Sequence, residues 1–554
     1  MNTGAHNSEA IIARVLLANG IDSSRHSQFL HPAYEEISDT YKAFNDIDRA
    51  VSRVKKAAEK RERVVIYGDF DVDGLTATAI MVRGLKRLGL EPSWYIPDRI
   101  KEGHGLNRRS ITKLCQKNDL LITVDCAIAD HQEAKYGQYL DCDIIITDHH
   151  TRDDYLPPAY ATLFPPFELN TDFSGAGIAF KFVQALLADV DPEYAKSLLW
   201  LACLGTVVDC VAQTGENRVI SHLGLKQLND MTPMCIKAIA VQSDMVRPID
   251  KRQITWKISP RLNSASRLGF TQVAADLLMS DESEVRKIKS LAGDLEIINR
   301  DRKETFEDYY QIALERVTDE HECIVVVFDG TSDGDARGIQ GLLAARLSEQ
   351  FNHRPTFVFT DAGNGYLSGS ARCPKHEFTK IFTYLTTEAK GLIISGGGHS
   401  VVGGMSLFVE DLPEFKTQVD RALQLSALEQ KQKAIPLDIC DVSKSLYQSL
   451  ALLEPYGDGD SPLFEIQATL GGKASRMGKA KDHLKFGVID SKTQNRFEVI
   501  AWGMAQMYDH VGPESQGKKV TLHARLVLNS WNGTESIELD ANQIILEDGT
   551  IYRR

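Results

Sequence analysis

The sequence lacks several features that would assign a protein class at once. Its nine cysteines contain no C-x-x-C pair, so the spacing of a structural zinc site is missing. It has no apolar run long enough to span a bilayer, no secretory leader pattern, no repeat and no low-complexity segment. We therefore expect reduced, mostly buried thiols and a cytoplasmic protein that does not contact a membrane.

An excess of positive charge is also missing. The 554 residues carry a formal net charge of −13, which does not favour a generally basic nucleic-acid-binding surface. An acidic chain can still bind a polyanion through a local basic groove, or through cations that its carboxylates hold. The hydrophobic fraction of 43% is ordinary for a soluble protein, and the length suits two to four domains.

Strands and helices alternate between residues 47 and 156. The apolar runs predict strands at Val64–Tyr67, Trp94–Ile96, Leu120–Val124 and Asp143–Thr147. Helical patterns lie between them, at Leu75–Leu90, Asn107–Lys117 and Ala129–Tyr139. This alternation predicts an α/β fold with a doubly wound parallel sheet, in which ligands bind beyond the carboxyl ends of the strands.

Carboxylates and imidazoles follow three of these predicted strands. Asp69, Asp71 and Asp73 follow the first, Asp125 follows the third, and Asp148, His149 and His150 follow the fourth. Carboxylates so close together repel one another unless a cation holds them. Oxygen and imidazole ligands favour Mg²⁺ or Mn²⁺ over structural zinc. The alternative is a solvated acidic turn in which one aspartate caps the next helix.

Asp209 is a further candidate, at the end of an apolar helical pattern that we predict over Ala195–Val208. A carboxylate in apolar surroundings must be paired, metal-bound or protonated. A salt-bridged aspartate at a helix end is the alternative.

Four segments carry these candidate residues: GDFDVDG (68–74), TVDC (123–126), TDHH (147–150) and LGTVVD (204–209). Together they resemble the DHH phosphoesterase superfamily, and specifically the RecJ family of single-strand-specific exonucleases. The resemblance continues through IPDRIKEGHGLN (96–107), SPRLNSASRLG (259–269), SGSARCP (368–374) and ISGGGHSVVGG (394–404). It extends from about residue 45 to the end of the chain.

The patterns and the resemblance together divide the chain into five parts. We expect an N-terminal appendage (1–45), a DHH catalytic domain (46–280), a long connecting helix (281–320), a smaller α/β DHHA1 domain (321–430), and a linker with a C-terminal OB-fold β-barrel (431–554). The barrel has a predicted basic edge with aromatic residues for single strands, made of Lys473, Arg476, Lys479, Lys481, Lys485, Phe486, Phe497, Trp502 and Trp531. Half or more of these aromatic side chains are expected in the barrel core.

The resemblance also implies roles for the metal-site residues. Two Mn²⁺ or Mg²⁺ ions would be held by Asp71, Asp73, Asp125, His149 and Asp209, with Asp125 as the bridging ligand. Asp69 would be a ligand or a nearby acceptor. His150 would face the scissile phosphate, and Asp148 would orient its imidazole.

Contacts to substrate phosphates are implied for a second set of residues. Arg261, Arg372 and His399 would neutralise charge at the reacting phosphate. The substrate-binding residues would be Arg99, Asn263, Arg267, Ser368, Gly369, Ser370, Gly397 and Gly398. The alternatives are an arginine paired with local acids, a structural histidine and a plain glycine turn.

Two departures from the family pattern are visible. Cys126-Ala127 stands where relatives usually carry Asn-Gly, which alters the turn after Asp125. Residues 335–339 replace the His-x-Gly stretch of the second domain, so the resemblance assigns no residue here to the role of that histidine.

The resemblance implies a single-stranded-DNA-specific 5′→3′ exonuclease of DNA repair and recombination that releases 5′-mononucleotides. A single-strand-binding protein or a helicase is an expected partner. One alternative is a DHH phosphodiesterase acting on short oligonucleotides or cyclic dinucleotides, but those relatives lack the OB-fold. The other is a non-catalytic single-strand-binding scaffold, although such proteins lose metal ligands that are all present here.

Overall fold

A computed structural model describes residues 3–152, 155–330, 336–363, 365–389, 391–398, 400–427, 434–456, 461–478, 480–531 and 534–553. The chain forms two compact units. One combines Met1–Ala33 with Lys431–Arg554, and the other is Tyr34–Gln430. In the described parts, no helix has both the length and the apolar character needed to cross a membrane.

The first 33 residues belong with the C-terminal part of the chain. Helices α1 (Thr3–Ala18) and α2 (His26–Leu30) form this segment. Val15 and Leu16 of α1 share a buried core with Leu446 and Leu450. The segment expected as one appendage over residues 1–45 is thus divided between the two units.

The second unit begins with helix α3 (Ile47–Lys60) and a five-stranded sheet. Its elements in chain order are β1 (Val64–Gly68), α4 (Val72–Arg87), β2 (Ser93–Tyr95), α5 (Arg108–Cys115), β3 (Leu120–Val124), α6 (His131–Gln138), β4 (Asp143–Thr147) and β5 (Ala161–Leu163). The strand order is β2-β1-β3-β4-β5 and all four pairings are parallel. The predicted doubly wound sheet is confirmed, and its topological switch point lies between β1 and β3.

A helical layer follows the sheet. It consists of α7 (Gly175–Leu187), α8 (Pro192–Ser197), α9 (Leu199–Val208), α10 (Gly215–Asp230), α11 (Met234–Ser243), α12 (Lys251–Gln253), a π-helical turn (Ile254–Ile258), α13 (Ser259–Arg267), α14 (Thr271–Met279) and the long α15 (Val285–Glu315). Apolar side chains of α4, α7 and α9 pack in the core of this half of the unit. The helix predicted over Ala195–Val208 is divided in two at Leu198.

A smaller α/β part completes the unit. Its elements are β6 (Ile324–Phe328), α16 (Gln340–Gln350), β7 (Thr356–Gly363), β8 (Tyr366–Arg372), α17 (Phe378–Thr387), β9 (Ser395–Gly398), β10 (Val402–Phe408) and α18 (Leu412–Leu423). Gly397 and Gly398, for which a plain turn was the alternative to substrate binding, lie in β9 and pair with Gly404 and Gly403 of β10. A Cβ at Gly403 would lie 1.9 Å from the Phe378 ring, so packing requires glycine there.

The C-terminal elements form a closed sheet. They are β11 (Ile435–Pro436), α19 (Lys444–Leu450), β12 (Phe464–Leu470), β13 (Ser475–Met477), β14 (His483–Ile489), β15 (Arg496–Ala501), β16 (Lys519–Trp531), β17 (Thr534–Leu546) and β18 (Ile551–Arg553). Strand β12 pairs with both β16 and β14, and β14, β15, β17 and β16 pair in succession. This ring of five strands is the arrangement predicted for an OB-fold.

Candidate metal centre and active site

The acids after β1 are fixed by the first turn of α4 and by the start of α7. Asp71 is the N-cap of α4, and its Oδ1 accepts a hydrogen bond from the Gly74 amide at 3.1 Å. The carboxylate of Asp73 accepts hydrogen bonds from the amides of Gly175 (2.6 Å) and Ala176 (2.9 Å). An acceptor at this helix start is favoured because the free amides and the helix dipole both attract negative charge.

Asp125 follows β3 in an unusual backbone conformation. Its φ is 62°, in the left-handed region, and its amide donates a hydrogen bond to the Thr147 carbonyl at 3.0 Å. Ala127 has a φ of 88°, at one of the two positions where relatives usually carry Asn-Gly. Oδ1 of Asp125 is buried and has no hydrogen-bond donor among the residues that the structure describes.

His149 brings these carboxylates together with Asp209, the C-cap of α9. Its Nε2 lies 3.1 Å from Asp125 Oδ1, and 3.8 Å from both Asp73 Oδ2 and Asp209 Oδ2. Three groups of side chains each offer ligand atoms within 4.8 Å of one another: Asp69, Asp71 and Asp125; Asp73, His149 and Asp209; and Asp125, His149 and His150. All six predicted metal ligands therefore meet at the switch point of the sheet.

The electrostatics of this cluster fit a divalent cation. Burial and the charge of Asp71 raise the pKa of Asp73 to about 7. Burial and the surrounding carboxylates raise the pKa of Asp125 and that of Asp209 well above the usual range for aspartate. A cation removes this penalty because it compensates several negative charges at once, and the oxygen-rich set with one imidazole suits Mn²⁺ or Mg²⁺.

Asp148 lies beside the cluster and holds His150. Its Oδ1 lies 2.8 Å from Nδ1 of His150 and accepts hydrogen bonds from the amides of His149 and His150. Its Oδ2 accepts a hydrogen bond from the Ile128 amide at 2.8 Å. Burial opposes ionisation, but the hydrogen bond and charge of His150 lower the pKa of Asp148 below its usual value.

His104 is a site residue that the sequence patterns did not identify. Its Nδ1 lies 3.1 Å from Asp69 Oδ1, and its ring centroid lies 4.9 Å from that of His150. Burial opposes protonation, but the charge of Asp69 and the contact with it raise the pKa of His104 to about 9. The residue lies within IPDRIKEGHGLN (96–107), but a single histidine in a loop gives no specific signal of its own.

Two glycines allow the acids to approach the neighbouring helices. A Cβ at Gly175 would lie 2.4 Å from the Asp125 side chain, and one at Gly205 would lie 2.3 Å from Asp73 Oδ1. Neither position was predicted, because the sequence does not reveal what faces a glycine in a helix.

Four arginines lie near one another beside the acids. Burial and the charges of Arg99, Arg372 and Arg302 lower the pKa of Arg267 to about 9, which leaves it charged at neutral pH. The Arg99 guanidinium lies 4.8 Å from the centre of the Phe70 ring and interacts with the charges of Asp69 and Asp71. Repelling guanidiniums create a site that favours an anion. Arg302, on α15, was not predicted.

Arg261 and Asn263 make internal contacts. Nε of Arg261 pairs with Glu296 of α15 at 2.6 Å, and Nη1 donates to the Lys257 carbonyl at 2.8 Å. Nδ2 of Asn263 donates to Ser259 Oγ at 3.2 Å. The structure thus brings Arg267, and not Arg261, to the arginine cluster.

The predicted residues of the smaller α/β part lie on two strands. Ser368, Gly369 and Ser370 are on β8, which ends at Arg372. Gly397 and Gly398 are exposed on β9. His399 lies outside the described residues, as do Asp335 and Lys479.

The predicted basic edge of the OB-fold is partly neutralised. Lys485 is paired with Glu498 and with Glu538, the latter at 3.0 Å. The Arg476 guanidinium lies 4.9 Å from the Tyr508 ring centre. The rings of His483 and Trp502 are 4.9 Å apart, whereas Phe486 is buried in the core.

Comparisons with known proteins agree with this architecture. The DHH family, N-terminal domain, matches residues 63–206, and the RecJ OB domain matches residues 434–543. The single-stranded-DNA-specific exonuclease RecJ of Thermus thermophilus is 30% identical over 504 residues, which cover 89% of this chain and 70% of that protein. The chain belongs to the RecJ family. The predicted resemblance is therefore confirmed.

Other members of the family extend the match. The RecJ of Bacillus subtilis is 28% identical over 551 residues, which cover 96% of this chain and 67% of that protein. The crystal structure of RecJ from Thermus thermophilus in complex with Mn²⁺ matches with a TM-score of 0.77 at 26% identity, covering 96% of this chain and 75% of the other. A crystal structure of exonuclease RecJ bound to manganese covers 69% of this chain and 95% of the other, with a TM-score of 0.57 at 27% identity.

Proposed function

We propose that this protein is a single-stranded-DNA-specific 5′→3′ exonuclease that hydrolyses phosphodiester bonds with two Mn²⁺ or Mg²⁺ ions and releases 5′-mononucleotides. The observation that carries the proposal is the convergence of six carboxylate and imidazole ligands at the switch point of the parallel sheet. The 5′→3′ direction follows from the family resemblance.

We assign metal binding to the side chains that would hold the two ions, Asp71, Asp73, Asp125, His149 and Asp209, with Asp125 as the ligand that both would share and Asp69 as a further ligand or acceptor. When bound, such cations lower the pKa of a water molecule and neutralise phosphate oxygens. The amides of Gly175 and Ala176 hold Asp73 in one orientation, which fixes one ligand before a cation arrives.

The neighbouring side chains are assigned to the phosphate. His150, held by Asp148, donates a proton or a hydrogen bond to a phosphate oxygen as charge develops on it. Arg99, Arg267, Arg372 and Arg302 supply the positive charge that binds the substrate phosphates. We give Arg261 a structural role, since Glu296 already neutralises it.

We further propose the domain division given by the sequence, with the catalytic domain over residues 46–280, the connecting helix over 281–320 and the DHHA1 domain over 321–430. Ser368, Ser370 and the exposed glycines of β9 are assigned to substrate contacts. The OB-fold, with Arg476 and Trp502 at its surface, is assigned to binding the single strand.

We also propose a cytoplasmic enzyme of DNA repair and recombination that works with a single-strand-binding protein or a helicase. Seven of the nine cysteines are buried free thiols, and only Cys210 and Cys440 are exposed, which suits a reducing compartment.

The test uses oligonucleotides labelled at the 5′ or the 3′ end, as single strands and as blunt duplexes. We expect a 5′ label to appear at once as a mononucleotide and a 3′ label to remain on a shrinking ladder, with Mn²⁺ or Mg²⁺ and not with EDTA. Degradation from the 3′ end, or equal degradation of blunt duplexes, contradicts the proposal. An RNA strand of the same sequence measures discrimination by the 2′-hydroxyl.

A further inference from the structure

Trp256 is a large aromatic side chain that the site described above does not use. Its side chain is 74% exposed. It lies in the π-helical turn Ile254–Ile258, which joins α12 to α13 without a break. π-Helical turns are rare and occur often at functional sites. An exposed indole offers a flat surface on which a nucleic-acid base can stack.

Trp256 lies on the same helix as Arg267 of the arginine cluster. The two residues are 11 positions apart, which is ~16 Å along a helix axis and close to three whole turns. Between residues 257 and 267, all of them described, only Lys257, Pro260, Asn263 and Arg267 are not buried. The spacings of four, three and four residues put Trp256, Pro260, Asn263 and Arg267 on one face. We call this face the Trp256 stripe.

The two ends of the stripe differ in chemistry. At one end, Arg267 lies among Arg99, Arg302 and Arg372, next to the metal ligands. At the other end, Trp256 has positively charged residues close to it in the sequence.

That positive charge comes from residues 251–257. Arg252 is exposed and lies four residues before Trp256 in the same helix, and half-buried Lys257 follows Trp256 directly. Asp250 is the only acid in the sequence between residues 245 and 268, and its Oδ1 accepts a hydrogen bond from the Gln253 amide at 2.8 Å and caps α12. In a chain of net charge −13, this combination of an exposed aromatic ring and local cations is a nucleic-acid-binding pattern.

We propose that the Trp256 stripe guides the single strand to the metal centre, with Trp256 stacked on a base and Arg252 and Lys257 in contact with the adjoining phosphates. The proposal deepens the proposed function and rests on it. A stack of this kind accepts any base, because every base has a π face, so it suits an enzyme that degrades a strand regardless of sequence.

The test measures binding of a fluorescent oligothymidylate to the full-length protein in EDTA, which prevents hydrolysis. We expect Trp256→Ala to weaken binding about tenfold, as the loss of one base stack does, and Trp256→Phe to retain most of the affinity. The matched control is Tyr139→Ala. Tyr139 is also 74% exposed, but it is the C-cap of α6. This helix leads into the amino end of β4, whereas the metal ligands lie at the carboxyl ends of the strands.

Oligonucleotides with one abasic nucleotide at successive positions identify the stacked base. For the wild-type protein, an abasic nucleotide at one position should weaken binding about tenfold. For Trp256→Ala, an abasic nucleotide at the same position should weaken binding hardly at all. Unchanged affinity of Trp256→Ala, or an abasic cost that persists in that variant, overturns the proposal.

Hydrolysis of the same strand by the wild-type protein with Mn²⁺ is measured in parallel. If the wild-type protein hydrolyses the strand and Trp256→Ala binds it with unchanged affinity, only the role of the Trp256 stripe is rejected. Absence of hydrolysis by the wild-type protein rejects the proposed function itself.

Discussion

Nε2 of His149 lies 3.1 Å from Oδ1 of Asp125, although the two residues follow different strands. Strands β3 and β4 pair in parallel, with Val124 opposite Thr147, so both strands end at the same level. The two side chains are only 3% exposed. A buried imidazole nitrogen and a buried carboxylate oxygen at this distance are arranged as neighbouring ligands of one cation.

The Asp125→Asn variant tests this arrangement. We expect its exonuclease activity to fall by about three powers of ten or more, since metal ions supply several kcal/mol of transition-state stabilisation. The fold should persist, because the substitution preserves shape and removes a buried charge. The initial rate of hydrolysis with Mn²⁺ measures the loss of activity, and the melting temperature in EDTA shows whether the fold persists.

The control for this variant is Asp119→Asn, at the amino end of β3, where Asp119 pairs with Arg63 on the surface. This variant should keep wild-type activity. If Asp125→Asn retains more than about a tenth of the activity, the metal assignment is wrong.

Binding of Mn²⁺ should stabilise the protein more at pH 8 than at pH 6. The pKa of Asp73 is raised to about 7, so without a cation this carboxyl carries a proton below neutrality and loses it above. A cation must displace that proton, so its apparent affinity rises with pH. The measurement is the shift in melting temperature on adding Mn²⁺ at each pH, reversed by EDTA. An equal or larger shift at pH 6 contradicts the expectation.

The parallel sheet and the convergence of the ligands could be predicted from the sequence. Strands β1, β3 and β4 are five residues long and each contains at least three consecutive apolar residues, and parallel strands necessarily deliver their last residues to one edge. What could not be predicted depends on contacts between distant segments. Arg302 reaches the arginine cluster from a long polar stretch of α15. The family resemblance assigns Arg261 to phosphate, and the sequence pattern does not reveal that Glu296, 35 residues away, is its partner in the structure.

The apolar pattern predicts a strand over Leu392–Ser395, whereas β9 covers Ser395–Gly398, and this shift has a different reason. Three of the four residues of β9 are glycines, which carry no side-chain alternation and are typical of turns. Only the pairing with β10 and the Phe378 ring packed against Gly403 explain why glycine occupies a strand here.

Gly175→Ala and Gly205→Ala should both weaken Mn²⁺ binding. The new methyl groups would lie 2.4 Å from the Asp125 side chain and 2.3 Å from Asp73 Oδ1, so these carboxylates must move. We expect a loss of about 10- to 100-fold in metal affinity, as for other residues that orient ligands. Isothermal titration calorimetry measures it.

The control for these glycine variants is Gly293→Ala in α15, where a Cβ would meet no atom within 4 Å. It should leave metal binding unchanged and stabilise the helix slightly. If both glycine variants bind Mn²⁺ with wild-type affinity, the carboxylates of Asp125 and Asp73 can move without loss of binding, and glycine is not required beside them.

Arg267→Gln should mainly lower the activity, whereas Arg261→Gln should mainly lower the stability of the folded protein. Arg267 lies in the arginine cluster, and its Nη1 donates a hydrogen bond to the Gly338 carbonyl at 3.0 Å. Its loss should lower kcat/KM by roughly 10- to 100-fold, the worth of one charged phosphate contact. The melting temperature should fall less than in Arg261→Gln, because no carboxylate loses its partner. Arg261 is buried and neutralises Glu296 between α13 and α15. Its loss should cost about 1–3 kcal/mol of stability.

The remaining activity distinguishes the two roles, because a folded Arg261→Gln protein should turn over near the wild-type rate well below its melting temperature. The double variant Arg261→Gln/Glu296→Gln leaves no unpaired carboxylate, so it should regain the lost stability. Its activity can then be compared with that of Arg267→Gln without a difference in folding. If the double variant is stable but inactive, Arg261 contacts the substrate after all, and the assignment must be exchanged between the two arginines.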